Sequence, residues 1–251
     1  MNALKVLGGR GLREALRTPD ALLPTLLIPL FFLVVNVGQA ARIFPTDTTP
    51  FLKGQNYAAF QLPATILLAA SFGTAALYLV EEIENGYFDK IRATPVSRTS
   101  IALGRLISEP IKIAAMTIVI ILVALPFGVS VQSGIVGVLL LVLLAAGWAT
   151  GYAAFLQFVA LKTRSAAATN SAGLVFFPLL FLTPNFVPRD LLTDPMEVAA
   201  TLNPVTYVME AMRSLILEPL NWAAIAPGFI VVAVFVGVML AINVHVMRTY
   251  D

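Results

Sequence analysis

The chain has 251 residues, 59% of them hydrophobic and 12% charged, and a mean hydropathy of +0.87. Soluble domains carry roughly 45–50% apolar and about 25% charged residues, so this composition excludes a soluble enzyme and marks an integral membrane protein. The net charge of +2 gives no electrostatic ground for nucleic-acid binding, and the absence of cysteine rules out disulfides, thiolate metal sites and cysteine nucleophiles.

In chain order, Leu4, Val6, Leu7, Leu12, Ala15 and Leu16 first alternate with Lys5, Arg10, Arg13, Glu14 and Arg17. The pattern predicts a basic amphipathic helix over 11–18 lying in the membrane interface; the other reading is a basic tail that only orients the chain. Six apolar runs follow, at 22–39, 57–80, 111–129, 134–161, 166–187 and 223–247, each near the ~20 residues a crossing helix needs. They are continuous, not alternating, which argues against a β-barrel and predicts an all-α protein of six transmembrane helices in one domain over 1–251. The first run is expected to stay as an uncleaved span, because it exceeds the ~7–15 apolar residues of a signal peptide. With the N-terminus inside, twelve of the sixteen Lys and Arg residues fall on the cytoplasmic side, leaving Arg42, Lys53, Arg189 and Arg213 outside. Both termini are therefore predicted to be cytoplasmic, in a multi-pass protein.

Between the second and third runs, residues 81–110 are too long for a plain helix connection of ~2–8 residues. Gly86 permits a sharp turn, and Tyr87, Phe88 and Ile91 then make an apolar flank on a short helix whose other side shows Asp89, Lys90 and Arg92. Thr94-Pro95 ends it and Ser97 caps a second helix toward the third run. The segment reads as a docking element or as an ordinary solvated loop. On the opposite face, residues 184–222 hold two cap-plus-proline signals, Asp194-Pro195 and Asn203-Pro204. They predict two short helices, the second dipping into the membrane without crossing and pairing Glu210 with Arg213 at i, i+3.

Reactive chemistry is sparse. His245 is the sole histidine, no P-loop or GxSxG motif occurs, and the run interiors hold no Asp, Glu, Lys or Arg to couple an ion gradient. Gly147 and Gly151 form a GxxxG, suited to close packing within the chain or to a dimer seam. Prolines at 24, 29, 63, 126 and 178 can kink their helices.

Four passages, "LREALRTPDALLPTLLIPLFFLVV", "EEIENGYFDKIRATPVSRTSIALGR", "FFPLLFLTPNFVP" and "LNPVTYVMEAMRSLIL", give the chain its resemblance to the membrane subunits of type-two ABC exporters. It resembles the daunorubicin-resistance-type permeases more than the polysaccharide export permeases. The resemblance implies six spans, an interface helix before the first and a cytoplasmic coupling helix at 85–93. Glu82, Glu84, Gly86 and Pro95 occupy that helix's motif positions, with Asn85, Tyr87, Phe88, Asp89 and Arg92 on the ATPase-coupling surface. Tyr87 departs from the small hydroxyl residue many relatives hold there. The same resemblance makes residues 194–202 and 204–217 the short outer re-entrant helices, with Asn203 between them and Pro204, Tyr207, Glu210 and Arg213 on the second.

It further implies a non-catalytic permease in the cell membrane, paired with a second permease, identical or related. A separate ABC ATPase subunit would bind ATP and Mg, and this chain itself binds no cofactor or metal. Its partners would also include membrane lipid and a hydrophobic or amphipathic substrate such as a drug or lipid. Asn36, Gln61, Asn170, Phe176 and Phe177 are the candidate path residues, each of which also fits plain packing. The alternatives are export of a polysaccharide or lipid-linked glycan, and a non-transporting sensor or immunity subunit that binds an ATPase. An intramembrane enzyme is disfavoured for want of catalytic groups.

Overall fold

The computed structural model describes residues 19–72 and 75–249; the expected interface helix over 11–18 lies outside them. Most of the described residues are helical and no strand occurs among them, in keeping with the all-α expectation. In order the helices are α1 (Pro19–Ala40), α2 (Tyr57–Ala70), α3 (Ala75–Glu84), α4 (Tyr87–Arg92), α5 (Arg98–Leu106) and α6 (Ser108–Ala124). They continue with α7 (Gly134–Thr163), α8 (Ala166–Gly173), α9 (Phe176–Phe181), α10 (Asp194–Leu202), α11 (Pro204–Leu217) and α12 (Trp222–Arg248). Side-chain caps set several of their starts: Asn56 accepts from Ala59 N, Ser97 from Ser100 N, Ser165 from Ala168 N and Asn221 from Ala223 N.

Four stretches are long and apolar enough to cross a membrane: Leu23–Ala40, Arg98–Phe127, Gly134–Thr163 and Trp222–Arg248. Two of the six expected runs are interrupted. The run at 57–80 divides into α2 and α3, and the run at 166–187 into α8 and α9. At each interruption side-chain bonds replace the helical ladder. Ser71 Oγ–H turns back to Leu67 O at 2.9 Å, while the Gly173 carbonyl accepts from the Tyr152 hydroxyl at 2.7 Å.

The 30-residue α7 is the post around which the bundle is built, packing against α2, α3, α5, α6, α8, α11 and α12. Its GxxxG serves this chain's own packing. A Cβ on Gly147 would meet Val232 Cγ1 at 2.5 Å, and one on Gly151 would meet Phe235 Cδ1 at 2.5 Å, so both glycines admit α12. A buried polar clasp fixes the same seam: Gln157 Nε2 donates to Asn243 Oδ1 at 3.0 Å, and Asn243 Nδ2 donates to Ala154 O at 2.7 Å.

Polar contacts gather at the two ends of the bundle. At one end Gln55 accepts from Ser130 N at 3.1 Å and donates to Ile216 O at 2.7 Å, while Ser133 Oγ donates to Glu218 O at 2.9 Å. The loop before α2, the hairpin before α7 and the end of α11 are thereby tied together. At the other end Arg98 donates to Arg248 O at 2.8 Å and joins the start of α5 to the end of α12.

The short helices after α9 depart from expectation in one detail and follow it in another. Thr193, not Asp194, holds the N-cap position of α10, without a side-chain bond, and Asp194 begins the helix. Asn203 does cap α11, accepting from Val205 N, and its Nδ2 also donates to Leu179 O at 2.6 Å. At 14 residues α11 is too short to cross. It is buried on nearly every side, Thr206 and Arg213 included, because α2, α7 and α12 all pack on it.

Candidate functional site

The two interrupted helices border one cavity of about 190 Å³. Ser71 and Phe72 line it from the end of α2, and Gly173, Leu174, Phe176 and Phe177 from the break between α8 and α9. Both breaks line the cavity and are covered by protein, the conditions under which non-helical backbone would be tolerated inside a membrane. Helix α7 supplies the cover through two residues one turn apart. Trp148 Nε1 donates to Ser71 Oγ at 2.9 Å at the first break, and Tyr152 Oη–H bonds Gly173 O at the second. Trp148, Tyr152, Phe176 and Phe235 pack as one aromatic cluster with ring centroids 5.1–6.4 Å apart. The walls are mainly apolar and aromatic, with Thr25, Ser71, Thr169 and Asn170 as polar positions.

All five candidate path residues border this cavity or a smaller neighbour. Asn170, Phe176 and Phe177 line the larger one; Asn36, Gln61 and Phe177 line a space of about 20 Å³, room for one water, and Leu68 with Phe177 is common to both. Gln61 is fully buried; its Nε2 donates to Tyr57 Oη at 2.7 Å and to Asn185 O at 3.0 Å. The Gln61 Oε1 and Asn185 Oδ1 atoms are buried without a hydrogen-bond partner, two acceptors beside the small space. Asn185 was not foreseen. It lies just after a proline at the end of an apolar run, where sequence alone shows only a turn.

The segment joining α3 to α5 is the second candidate element. Its helix covers Tyr87–Arg92, not the expected 85–93, because Gly86 sits in the left-handed region at φ 71° and cannot continue a helix. Asn85 Oδ1 accepts from Tyr87 N at 3.0 Å to close the turn, and Arg92 pairs with Asp89 at 3.2 Å. Phe88 corrects the sequence reading: at 1% exposure it anchors the helix in the core and is not a surface residue. Glu82 likewise points inward, buried and paired with Arg105 of α5. Glu84, Asn85, Tyr87, Asp89, Lys90 and Pro95 remain exposed and form the outward face. Among the described residues, no group of three or more His, Cys, Asp or Glu side chains is placed to hold a metal.

On α11 the expected Glu210–Arg213 pair does not form. Glu210 takes Arg189 through two nitrogens, at 2.7 and 3.1 Å, and Arg213 lies over the Phe60 ring at 3.6 Å. The matching fork geometry of Arg189 outcompetes a same-helix neighbour, and burial against α2 draws Arg213 onto an aromatic face. Tyr207 donates to Thr201 O at 2.8 Å and stands under the Arg189 guanidinium at 5.3 Å.

Comparison with known proteins bears on this geometry. The family model described as ABC-2 type transporter matches residues 2–217. The chain belongs to the ABC-2 type transporter family. It is similar to the daunorubicin resistance ABC transporter permease protein DrrB1 of Streptomyces coeruleorubidus, 25% identical over 205 residues, covering 78% of this chain and 69% of that protein. As an ABC-2 protein it is a multi-pass membrane protein and the permease subunit of an ABC transporter. Family membership implies an ABC ATPase partner and a dimeric arrangement.

Proposed function

We propose that this permease moves a hydrophobic or amphipathic compound out across the cell membrane, driven by a separate ATPase subunit that binds ATP and Mg. The observation that carries the reading is the cavity bordered by two interrupted helices. A mainly aromatic and apolar wall with a few polar positions suits a greasy ligand bearing one polar end, and discontinuous helices let a bundle rearrange around a bound molecule. On this reading the chain crosses six times, α2 with α3 and α8 with α9 each making one interrupted crossing, and both termini are cytoplasmic. Asn36, Gln61, Asn170, Phe176 and Phe177 border the path, joined by Asn185. The outward face of the turn and α4, with Glu84, Asn85, Tyr87, Asp89 and Pro95, docks the ATPase. Gly86 sets its angle, and Phe88 and the Glu82–Arg105 pair transmit its movement to α3 and α5. Helices α10 and α11, with Asn203, Pro204, Tyr207, Glu210 and Arg213, are re-entrant from the outer face. A second permease, identical or related, and membrane lipid complete the assembly.

The test is reconstitution of the chain with its ATPase in lipid vesicles, with daunorubicin as the first labelled compound because of the relative's name. ATP-dependent movement that Phe177→Ala and Asn170→Ala diminish, while the ATPase stays bound, supports the proposal. ATP hydrolysis with no vectorial movement of any amphipathic compound would favour the sensor reading instead.

A further inference from the structure

We propose that α5 carries the movement of the ATPase to the last helix, α12, and that Arg98 is the positioning residue that joins the two. Arg98 is the first residue of α5, where a cation opposes the dipole of its own helix. Its guanidinium serves a different helix. Nη1 donates to Arg248 O at 2.8 Å and to Met247 O at 3.4 Å, the last two carbonyls of α12. The two carbonyls before them, those of His245 and Val246, accept from Thr249 N at 3.2 Å each. The final turn of α12 is thus fully partnered, and half of it by a side chain from α5. There the cation meets the negative end of a helix dipole, the placement that its own helix denies it.

The joint extends along the whole of α5. Leu106, its last residue, forms one apolar cluster with Ala153 and Ala154 of α7, and Met239 and Leu240 of α12 pack against that cluster. Arg98 and Leu106 are eight residues apart, as are Met247 and Met239, so α5 lies antiparallel to the end of α12 and is held to it at both of its own ends. Arg105, also on α5, pairs with Glu82 of α3. The helix that follows α4 therefore grips α3 and α12 together. This inference rests on the docking of the ATPase at α4 proposed above. A push on α4 then moves α12 as well as α3, through Arg98 and Leu106. It does not depend on which compound is carried.

The experiment uses the full chain assembled with its ATPase in lipid, and reads an environment-sensitive fluorophore on one introduced thiol. The chain has no native cysteine, so it can be labelled singly before assembly. One probe sits at Val238→Cys, on the exposed side of α12, and the other at Glu81→Cys, exposed on α3. Addition of ATP and Mg should change the signal at both positions. Arg98→Gln should reduce the change at 238 by about two- to fivefold, the range for losing a cation at a helix C-terminus, and leave the change at 81 intact. Leu106→Ala should do the same, and it keeps the test decisive should Arg98→Gln not assemble. A wild-type probe at 238 that ignores ATP, a full response at 238 in either variant, or equal loss at 81 and 238 would overturn the proposal. Response at 81 without response at 238 sinks this inference alone, whereas silence at both positions sinks the docking at α4 with it.

Discussion

Helix α12 carries two glycines that set an internal experiment on how tightly α11 is seated. A Cβ added at Gly228 would lie 2.5 Å from Ala211 Cβ and 2.8 Å from Tyr207 O, whereas one added at Gly237 would have nothing within 4 Å. Both positions are helical, so glycine to alanine should bring the same gain of roughly 0.8–1.0 kcal/mol in helix propensity at each. That gain cancels in the difference between the variants. What remains is overpacking against a neighbouring backbone, which costs about 1–3 kcal/mol because the Tyr207 carbonyl cannot swing aside as a side-chain tip could. At about 2–4 °C per kcal/mol for a chain of this size, Gly228→Ala should melt about 2–12 °C below Gly237→Ala. The assay is apparent melting in detergent at one fixed heating rate, with a tryptophan or light-scattering readout. Coincident melting of the two variants, or a lower value for Gly237→Ala, would refute the seating of α11 on α12.

Other variants probe the remaining joints. Gly86→Ala should strain the left-handed turn by about 1–2 kcal/mol and reduce ATPase co-purification, while Gly86→Asn, which tolerates that conformation better, should recover most of it. Glu82→Gln should loosen the union of α3 with α5 and lower ATP-driven turnover more than substrate binding, measured in parallel on one preparation; equal loss of both would contradict it. Asn243→Leu should cost about 0.6 kcal/mol and at most ~1.7 by melting, with part of the loss regained in the double variant that also carries Gln157→Leu. Tyr152→Phe deprives the Gly173 carbonyl of its donor and should cost about 0.5–1.5 kcal/mol while changing apparent substrate affinity.

The long apolar helices were legible because a run of apolar residues near bilayer length leaves the backbone one economical choice. Helices α7 and α12 match their runs to within two residues at each end, and the Asn203 cap and the turn at Gly86 follow from local chemistry. The interruptions at Ser71 and at Gly173 were not legible from hydropathy, since the residues around each remain apolar or small. The signal available was a hydroxyl or glycine midway along a run, and its meaning depends on Trp148 and Tyr152 many residues away. Pairings failed for the same reason. Glu210 and Arg213 are neighbours in sequence, yet their partners Arg189 and Phe60 lie 21 and 153 residues distant. The apolar flank of α4 was visible, but spacing alone could not say that Phe88 turns inward while Tyr87 stays out.

The central claim is that substrate occupies the cavity between the interrupted helices, and the absence of native cysteine makes it open to single-thiol labelling. Asn170→Cys puts a thiol on the exposed edge of that cavity, and Leu139→Cys puts one on the exposed surface of α7 as a control. In the assembled complex, a transported compound should slow labelling at 170 in a dose-dependent way and leave 139 unchanged. Equal labelling at both positions with and without a compound that the same preparation transports would contradict the account.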